Sequence, residues 1–215
     1  MKKLLMLLIG LISWACYSPT PENTQTLPYY HTADFTPHWL SKQANLDTLH
    51  TLSNFSLFNQ NGIVVTPQTF KGKIHIANFF FTFCPGLCPR LTKSMQAIQE
   101  AFQDNPDILL ASYSVTPDRD SVSVLRQYAT MHKVRDNKWH LLTGDKKTIY
   151  QTARKSYFAD ENIGTKLDEN DFLHTENFIL VDKNLHIRGI YNGTLQLDIQ
   201  QLIVDIKLLK QEETN

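Results

Sequence analysis

The chain has 215 residues, of which 42% are hydrophobic and 11% aromatic, enough to bury the core of one substantial domain. Lysine plus arginine balances aspartate plus glutamate at 21 residues each, so we predict no nucleic-acid partner held by a basic surface. Three cysteines are too few for a disulfide scaffold, and their uneven placement, one near the start and a close pair later, requires two separate explanations.

The first sixteen residues have the pattern of an export signal. Two lysines precede an apolar run, Leu4 to Trp14, which has about the length of a signal-peptide core and is too short to span a bilayer comfortably. The run ends in Ala15-Cys16, which is typical of a bacterial lipoprotein signal, although Ser13 occupies the position where leucine is usual. We predict that Cys16 is the lipidated first residue of the mature chain.

Two alternatives stay open for this segment: an uncleaved N-terminal anchor, and ordinary secretion with an unpaired thiol. We expect an exported, membrane-anchored protein that faces the periplasm or the cell exterior. The polar residues after Cys16 predict a tether. The chain therefore divides into a signal peptide (residues 1–15), a tether with an N-terminal arm (residues 16–50) and one folded domain (residues 51–215).

The folded domain opens with two strand signals. Apolar runs within Phe55 to Val65 flank Asn61-Gly62, a turn pair that predicts a β-hairpin. Ile74 to Phe83 is apolar on both faces, which predicts a central strand covered on both sides. Apolar residues then recur at helical spacing from Leu91 to Phe102.

The rest of the domain alternates strands and helices. Strands are predicted over 108–115 and 139–142, and a hairpin is predicted that pairs 178–181 with 186–191. One helix ends near His132 and has Asp120 or Ser121 as its N-cap, and a second covers 146–157. The last helix covers 195–210, and its apolar face carries Leu197, Leu202, Ile206 and Leu209. This order predicts an α/β fold in which helices flank both faces of a central mixed sheet. Two thiols that follow a central strand and open a helix are typical of a thioredoxin-like fold.

Cys84 and Cys88 are the main candidates for chemistry. They are four residues apart near the start of a predicted helix, so both side chains fall on one face, where the helix dipole favours a thiolate. Two close thiolates can form a disulfide or chelate a soft metal such as Cu(I). The ordinary redox motif has two intervening residues, and the three present here favour the metal.

A third ligand is expected, because Cu(II) prefers sites with nitrogen or oxygen donors. His174 ends a polar loop just before the strand predicted at 178–181, which places it at the same edge of the sheet as the cysteines. Position alone leaves it one candidate among several. The other histidines lie inside the central strand, at element ends or without metal-ligand spacing: His31, His38, His50, His75, His132, His140 and His186.

Over about residues 55–210, the chain resembles the SCO/SenC family of copper-binding, cytochrome-oxidase assembly proteins. FTFCPGLCP, from Phe81 to Pro89, is similar to the family's cysteine motif, and SVTPDRD, from Ser114 to Asp120, resembles its S-V-D-P-x-x-D segment. WHLLTGD, from Trp139 to Asp145, resembles another family segment. His174, ahead of FILVD, occupies the family's metal-histidine place.

The sequence departs from the family pattern at three positions. Gly86 stands where the family usually has an acidic residue, and Leu173 and Thr175 stand where many members have aspartate and serine. The metal set of Cys84, Cys88 and His174 is intact, and the missing carboxylate at Gly86 bears on tuning of the site and on partner recognition more than on copper binding.

The resemblance implies a thioredoxin-like domain that holds copper, as Cu(I) or Cu(II), on Cys84, Cys88 and His174. It implies a membrane-tethered chaperone, rather than an enzyme, that assists copper-site assembly in cytochrome c oxidase. The implied partners are the copper-site subunit of the oxidase and the membrane, reached through the lipid on Cys16, with another copper chaperone as a further candidate.

Two enzymatic readings compete with the chaperone. A thiol–disulfide oxidoreductase that keeps the oxidase cysteines reduced would use a Cys84–Cys88 disulfide as its redox pair and would not require His174. A peroxide-reducing enzyme of the same fold is disfavoured, because the Pro-x-x-x-Thr-x-x-Cys setting that it needs is absent before Cys84.

Overall fold

The computed structural model describes residues 26–41, 44–159 and 175–212. The signal segment with Cys16, and the loop that ends in His174, lie outside the described residues. The strands are β1 (Leu57–Phe58), β2 (Val64–Val65), β3 (Ile74–Phe80), β4 (Ile108–Ser114), β5 (Trp139–Leu142), β6 (Asn177–Val181) and β7 (Ile187–Asn192). The α-helices are α1 (Pro67–Phe70), α2 (Cys88–Ala101), α3 (Val122–Met131), α4 (Lys146–Gln151) and α5 (Gln196–Glu212).

Five strands form the central sheet in the order β5-β4-β3-β6-β7. The strands β3, β4 and β5 run parallel, whereas β6 runs antiparallel to β3 and β7 antiparallel to β6. Every residue of β3 is buried, as expected for a central strand that is covered on both faces. Because β6 is antiparallel to β3, its first residues lie beside the carboxyl end of β3.

Two apolar cores cover the two faces of the sheet. One core packs α2, α3 and α5 against β3 and β4, with Met95, Ile98 and Ile206 fully buried. The other packs the β1–β2 hairpin, α1 and α4 against the opposite face. The predicted α/β architecture, a mixed sheet between helices with an N-terminal hairpin, is confirmed.

Local chemistry explains where several elements begin and turn. The hairpin turn contains Gly62 at a φ of 72°, a left-handed conformation that glycine adopts without strain. The N-cap of α3 is Ser121, whose hydroxyl accepts from the Val124 amide at 3.4 Å. The alternative cap, Asp120, is buried and has other partners.

Four details differ from the sequence predictions. The central strand ends at Phe80 rather than Phe83, because the chain turns there into the cysteine loop. The helix predicted over 146–157 is α-helical only to Gln151 and continues as a π-helical turn, Thr152–Ser156. The short helix α1 was not predicted. Leu197 is 77% exposed in the first turn of α5, and Ile199 takes its place in the core.

The N-terminal arm packs on the edge strand β7. The Tyr30 amide donates to the Ile187 carbonyl at 3.0 Å. The buried Arg188 guanidinium donates to the Leu27 carbonyl at 2.7 Å and to the Glu212 carboxylate at 2.6 Å, so one side chain joins the arm to α5. Within residues 26–41, 44–159 and 175–212, no helix is both long and apolar enough to cross a membrane.

Candidate metal centre

The two cysteines lie where the loop after β3 enters α2. Cys88 is the first residue of α2 and is buried, whereas Cys84 is half-buried in the loop. No side chain caps this helix at Leu87, and the Cys88 amide instead donates to the Cys84 sulfur at 3.4 Å. Both residues are free thiols, and the predicted juxtaposition of the two sulfurs at a helix start is present.

The two sulfurs differ in acidity. Partial burial raises the pKa of Cys84, but hydrogen bonds from Cys88 and from the backbone of Gly86 and Leu87 outweigh this, so the pKa lies below its ordinary value. Burial raises the pKa of Cys88 to about 12, and the neighbouring Cys84 and Asp120 add to the rise. Cys84 is therefore the sulfur that ionises first, and at neutral pH it carries the larger population of reactive thiolate.

Both cysteines line a small cavity at the carboxyl end of β3. Apolar side chains of β3 and α2 form much of its wall, and Thr175 is among the residues that line it. Thr175 follows His174, the predicted third ligand, directly in the sequence. The position of the His174 side chain lies outside the described residues.

Backbone contacts fix the place where this loop rejoins the sheet. The Gly193 amide donates to the Glu176 carbonyl at 2.8 Å, and the Asn192 side-chain amide donates to the Glu176 carboxylate at 2.8 Å. Gly193 also lies so close to the core that a Cβ there would sit 2.4 Å from Phe178 and 2.7 Å from Leu91. The start of β6 is therefore locked to the end of β7 beside the first turns of α2.

The described histidines have other surroundings. His75 is fully buried and lies 3.1 Å from the Tyr157 hydroxyl, and burial lowers its pKa to about 3. The His132 ring lies against Tyr128 with the two ring planes tilted by 42°, and His186 packs edge-on against Tyr29. In the part of the chain that the structure describes, no three His, Cys, Asp or Glu side chains converge on a metal position.

Sequence reasoning missed the role of Asp120. Its side chain is fully buried and accepts hydrogen bonds from Thr82, Ser114 and Thr116, which come from the cysteine loop and from the end of β4. The SVTPDRD segment was a usable signal, since a carboxylate in a hydroxyl-rich strand end favours a buried network over a simple helix cap. The sequence pattern did not identify Thr82 as its partner.

The sequence model of the SCO1/SenC family matches residues 43–211, most of the chain. The chain belongs to this family. A SCO1/SenC family lipoprotein from Bacillus anthracis str. Ames has a similar structure, with 28% identity and a TM-score of 0.65 over 75% of this chain and 95% of that one. The family model and this structural similarity confirm the predicted family and its thioredoxin-like fold.

Two further solved SCO1/SenC relatives are similar at comparable levels. One is BsSco, a member of the Sco family of cytochrome c oxidase assembly proteins in which a disulfide switch has been identified; it shares 28% identity, with a TM-score of 0.62 over 74% of this chain and 93% of that one. The other is Arabidopsis thaliana ScoI with copper bound, which shares 27% identity, with a TM-score of 0.57 over 74% of this chain and 98% of that one.

Proposed function

We propose that this SCO1/SenC protein is a membrane-tethered copper chaperone that binds copper through Cys84, Cys88 and His174 and assists copper-site assembly in cytochrome c oxidase. The observation that carries the proposal is the position of Thr175 in the wall of the cavity that both cysteines line. His174 is the residue next to Thr175 in the sequence, which supports it as the third ligand.

The donor set fits the chemistry of copper. Two thiolates suit Cu(I), and an imidazole adds the nitrogen donor that Cu(II) prefers. Copper bound to a relative of 27% identity supports the assignment. Copper is the cargo here: Cu(I) would leave by stepwise exchange of the Cys84 and Cys88 thiolates for the thiolates of a partner, with no change in oxidation state.

Copper titration of the reduced full-length protein tests the ligand set. We expect about one copper per chain and a thiolate-to-copper charge-transfer band with Cu(II). His174→Ala should reduce Cu(II) affinity more than about tenfold, because it removes the nitrogen donor. His31→Ala, a half-exposed histidine on the N-terminal arm, is the matched control and should bind as the parent does. If His174→Ala also binds Cu(II) like the parent, the ligand assignment is wrong.

The alternative function, a thiol–disulfide oxidoreductase, is favoured by the lowered pKa of Cys84 and by its greater exposure. The Cys84 thiolate would attack a partner disulfide and release one partner thiolate, and Cys88, on losing its proton, would attack Cys84 and release the second. The partner disulfide gains two electrons and the Cys84–Cys88 pair becomes a disulfide. The disulfide switch of BsSco supports this chemistry.

One comparison separates the two functions. Reduction of a model protein disulfide, followed in a single turnover, should be abolished by Cys84→Ser under both hypotheses. His174→Ala should leave it unchanged if reduction is an activity of the dithiol alone. A loss of reduction in His174→Ala that parallels the loss of Cu(II) affinity would count against an independent reductase.

We also propose that Cys16 carries a lipid that holds the domain at the membrane, exposed to the periplasm or the cell exterior. The signal-like segment and the existence of a SCO1/SenC lipoprotein at 28% identity support this. Intact mass and membrane fractionation of the expressed full chain test it. Cys16→Ser should lose the added acyl mass and leave the membrane fraction, whereas an unchanged membrane fraction would favour an uncleaved anchor.

A further inference from the structure

A buried carboxylate lies behind the cysteine loop. Asp120 has no exposed surface, and its carboxylate accepts four hydrogen bonds, from three hydroxyls and one backbone amide. An ionised carboxylate is very costly to bury unless it is well hydrogen-bonded, and hydrogen bonds to a charged acceptor are stronger than neutral ones. The network is therefore a firm junction rather than an incidental contact.

The junction joins two parts of the chain that are distant in sequence. Thr82, two residues before Cys84, donates from its hydroxyl to Asp120 Oδ1 at 2.5 Å and from its amide to Oδ2 at 3.2 Å. On the other side, the Ser114 hydroxyl at the end of β4 donates to Oδ2 at 2.6 Å, and Thr116 donates to the same oxygen at 3.0 Å. The carboxylate thus ties the start of the cysteine loop to the neighbouring strand.

The loop needs such a tie because β3 ends before it. The last ladder contact nearby is the Val115 amide, which donates to the Phe80 carbonyl at 2.9 Å. From there to the start of α2 the chain has no regular secondary structure, and Pro85 within this stretch lacks an amide donor. Thr82, between the strand and Cys84, is a point at which two hydrogen bonds hold the loop.

We propose that Asp120 is a positioning residue for the cysteine pair: by holding Thr82 against β4, it keeps the Cys84 sulfur beside Cys88. The inference rests on the proposed function for its copper readout. Copper binding and disulfide formation both need the two sulfurs close together, since a disulfide requires Cβ atoms about 3.5–4.5 Å apart. Loosening the loop should weaken both to a similar degree, even though Asp120 touches neither metal nor disulfide.

A matched pair of substitutions at Thr82 isolates the tie. Thr82→Val keeps the shape of the side chain and removes the hydroxyl, which leaves Asp120 Oδ1 without its 2.5 Å donor. Thr82→Ser keeps the hydroxyl. Thr130→Val, on the exposed face of α3, is a control for the loss of a hydroxyl remote from the site. Each full-length variant is examined for thermal unfolding, for the Cys84–Cys88 disulfide equilibrium in glutathione buffers, and for copper affinity.

We expect Thr82→Val to lower both the copper affinity and the disulfide equilibrium constant about tenfold, the lower end of the range seen when residues that orient metal ligands are changed. Thr82→Ser and Thr130→Val should remain within about twofold of the parent. Parental values for a folded Thr82→Val protein, or equal losses in Thr82→Ser, would overturn the proposal.

A second variant and a second readout keep the test decisive. If Thr82→Val does not fold, Ser114→Ala cuts the same network from the β4 side and should lower both quantities to a lesser extent, because Oδ2 retains two donors. Parental values in a folded Ser114→Ala protein would then overturn the proposal. If the parent binds no copper, the proposed function fails, while the disulfide equilibrium still decides the role of Asp120.

Discussion

Alkylation at pH 8 should strongly favour Cys84 over Cys88. With a pKa of about 12, Cys88 has about one thiolate in ten thousand molecules at this pH. An ordinary cysteine, with a pKa of about 8.5, carries the thiolate in about one molecule in four at this pH, and hydrogen bonds lower the pKa of Cys84. The thiolate population of Cys88 is therefore about two thousandfold smaller than that of an ordinary cysteine.

Intrinsic nucleophilicity reduces this difference but does not cancel it. A thiolate of higher pKa is more nucleophilic by about 0.4–0.5 log units per pKa unit, which over the roughly 3.5 units between an ordinary cysteine and Cys88 returns about 25- to 55-fold to Cys88. The expected net preference for Cys84 is therefore on the order of tens of fold. Steric access adds to it, since only 6% of Cys88 is exposed.

The assay is a short iodoacetamide pulse on the reduced full chain carrying Cys16→Ser, followed by mass spectrometry of the peptides that contain each cysteine. The same pulse in concentrated urea is the control, where both cysteines should react at similar rates because burial and the helix start are lost. Equal labelling of Cys84 and Cys88 in the folded protein would refute the argued asymmetry of the site.

Two further predictions concern the scaffold. Gly193→Ala should destabilise the fold by about 1–3 kcal/mol in urea unfolding, since its Cβ would lie 2.4 Å from the buried Phe178 ring. Gly86→Ala is the control and should be nearly neutral, because no atom lies within 4 Å of its Cβ position. Equal effects of the two substitutions would contradict the packing argument. Burial lowers the folded-state pKa of His75 to about 3. Below about pH 6.5 the unfolded chain therefore takes up a proton at His75 that the folded chain does not. This residue should lower the free energy of unfolding by about 1.4 kcal/mol per pH unit as the pH falls toward 3. Urea unfolding at pH 6.5 and pH 5 should show a flatter dependence in His75→Gln, and an unchanged slope would exclude His75 as the source.

Much of the architecture was predictable because it depends on local patterns. The unbroken apolar run from Ile74 predicted a strand covered on both faces, and the helical spacing from Leu91 predicted α2. The patterns failed where a residue's role is set by distant partners. The spacing of Leu197 suggested a core position, but the first turn of α5 projects it into solvent. The four-residue helix α1 is too short to show a period.

The candidate site also has features that follow from neighbouring residues and features that follow from contacts between distant segments. The spacing of Cys84 and Cys88, and their place after an apolar run, depend only on neighbouring residues, so the close thiol pair could be predicted from the sequence. Three features follow only from the three-dimensional fold: which sulfur ionises first, the hydrogen bond from Thr82 to Asp120, and the return of Thr175 to the cavity by an antiparallel β6. Those outcomes depend on burial and on contacts between segments far apart in the chain, which no local pattern encodes.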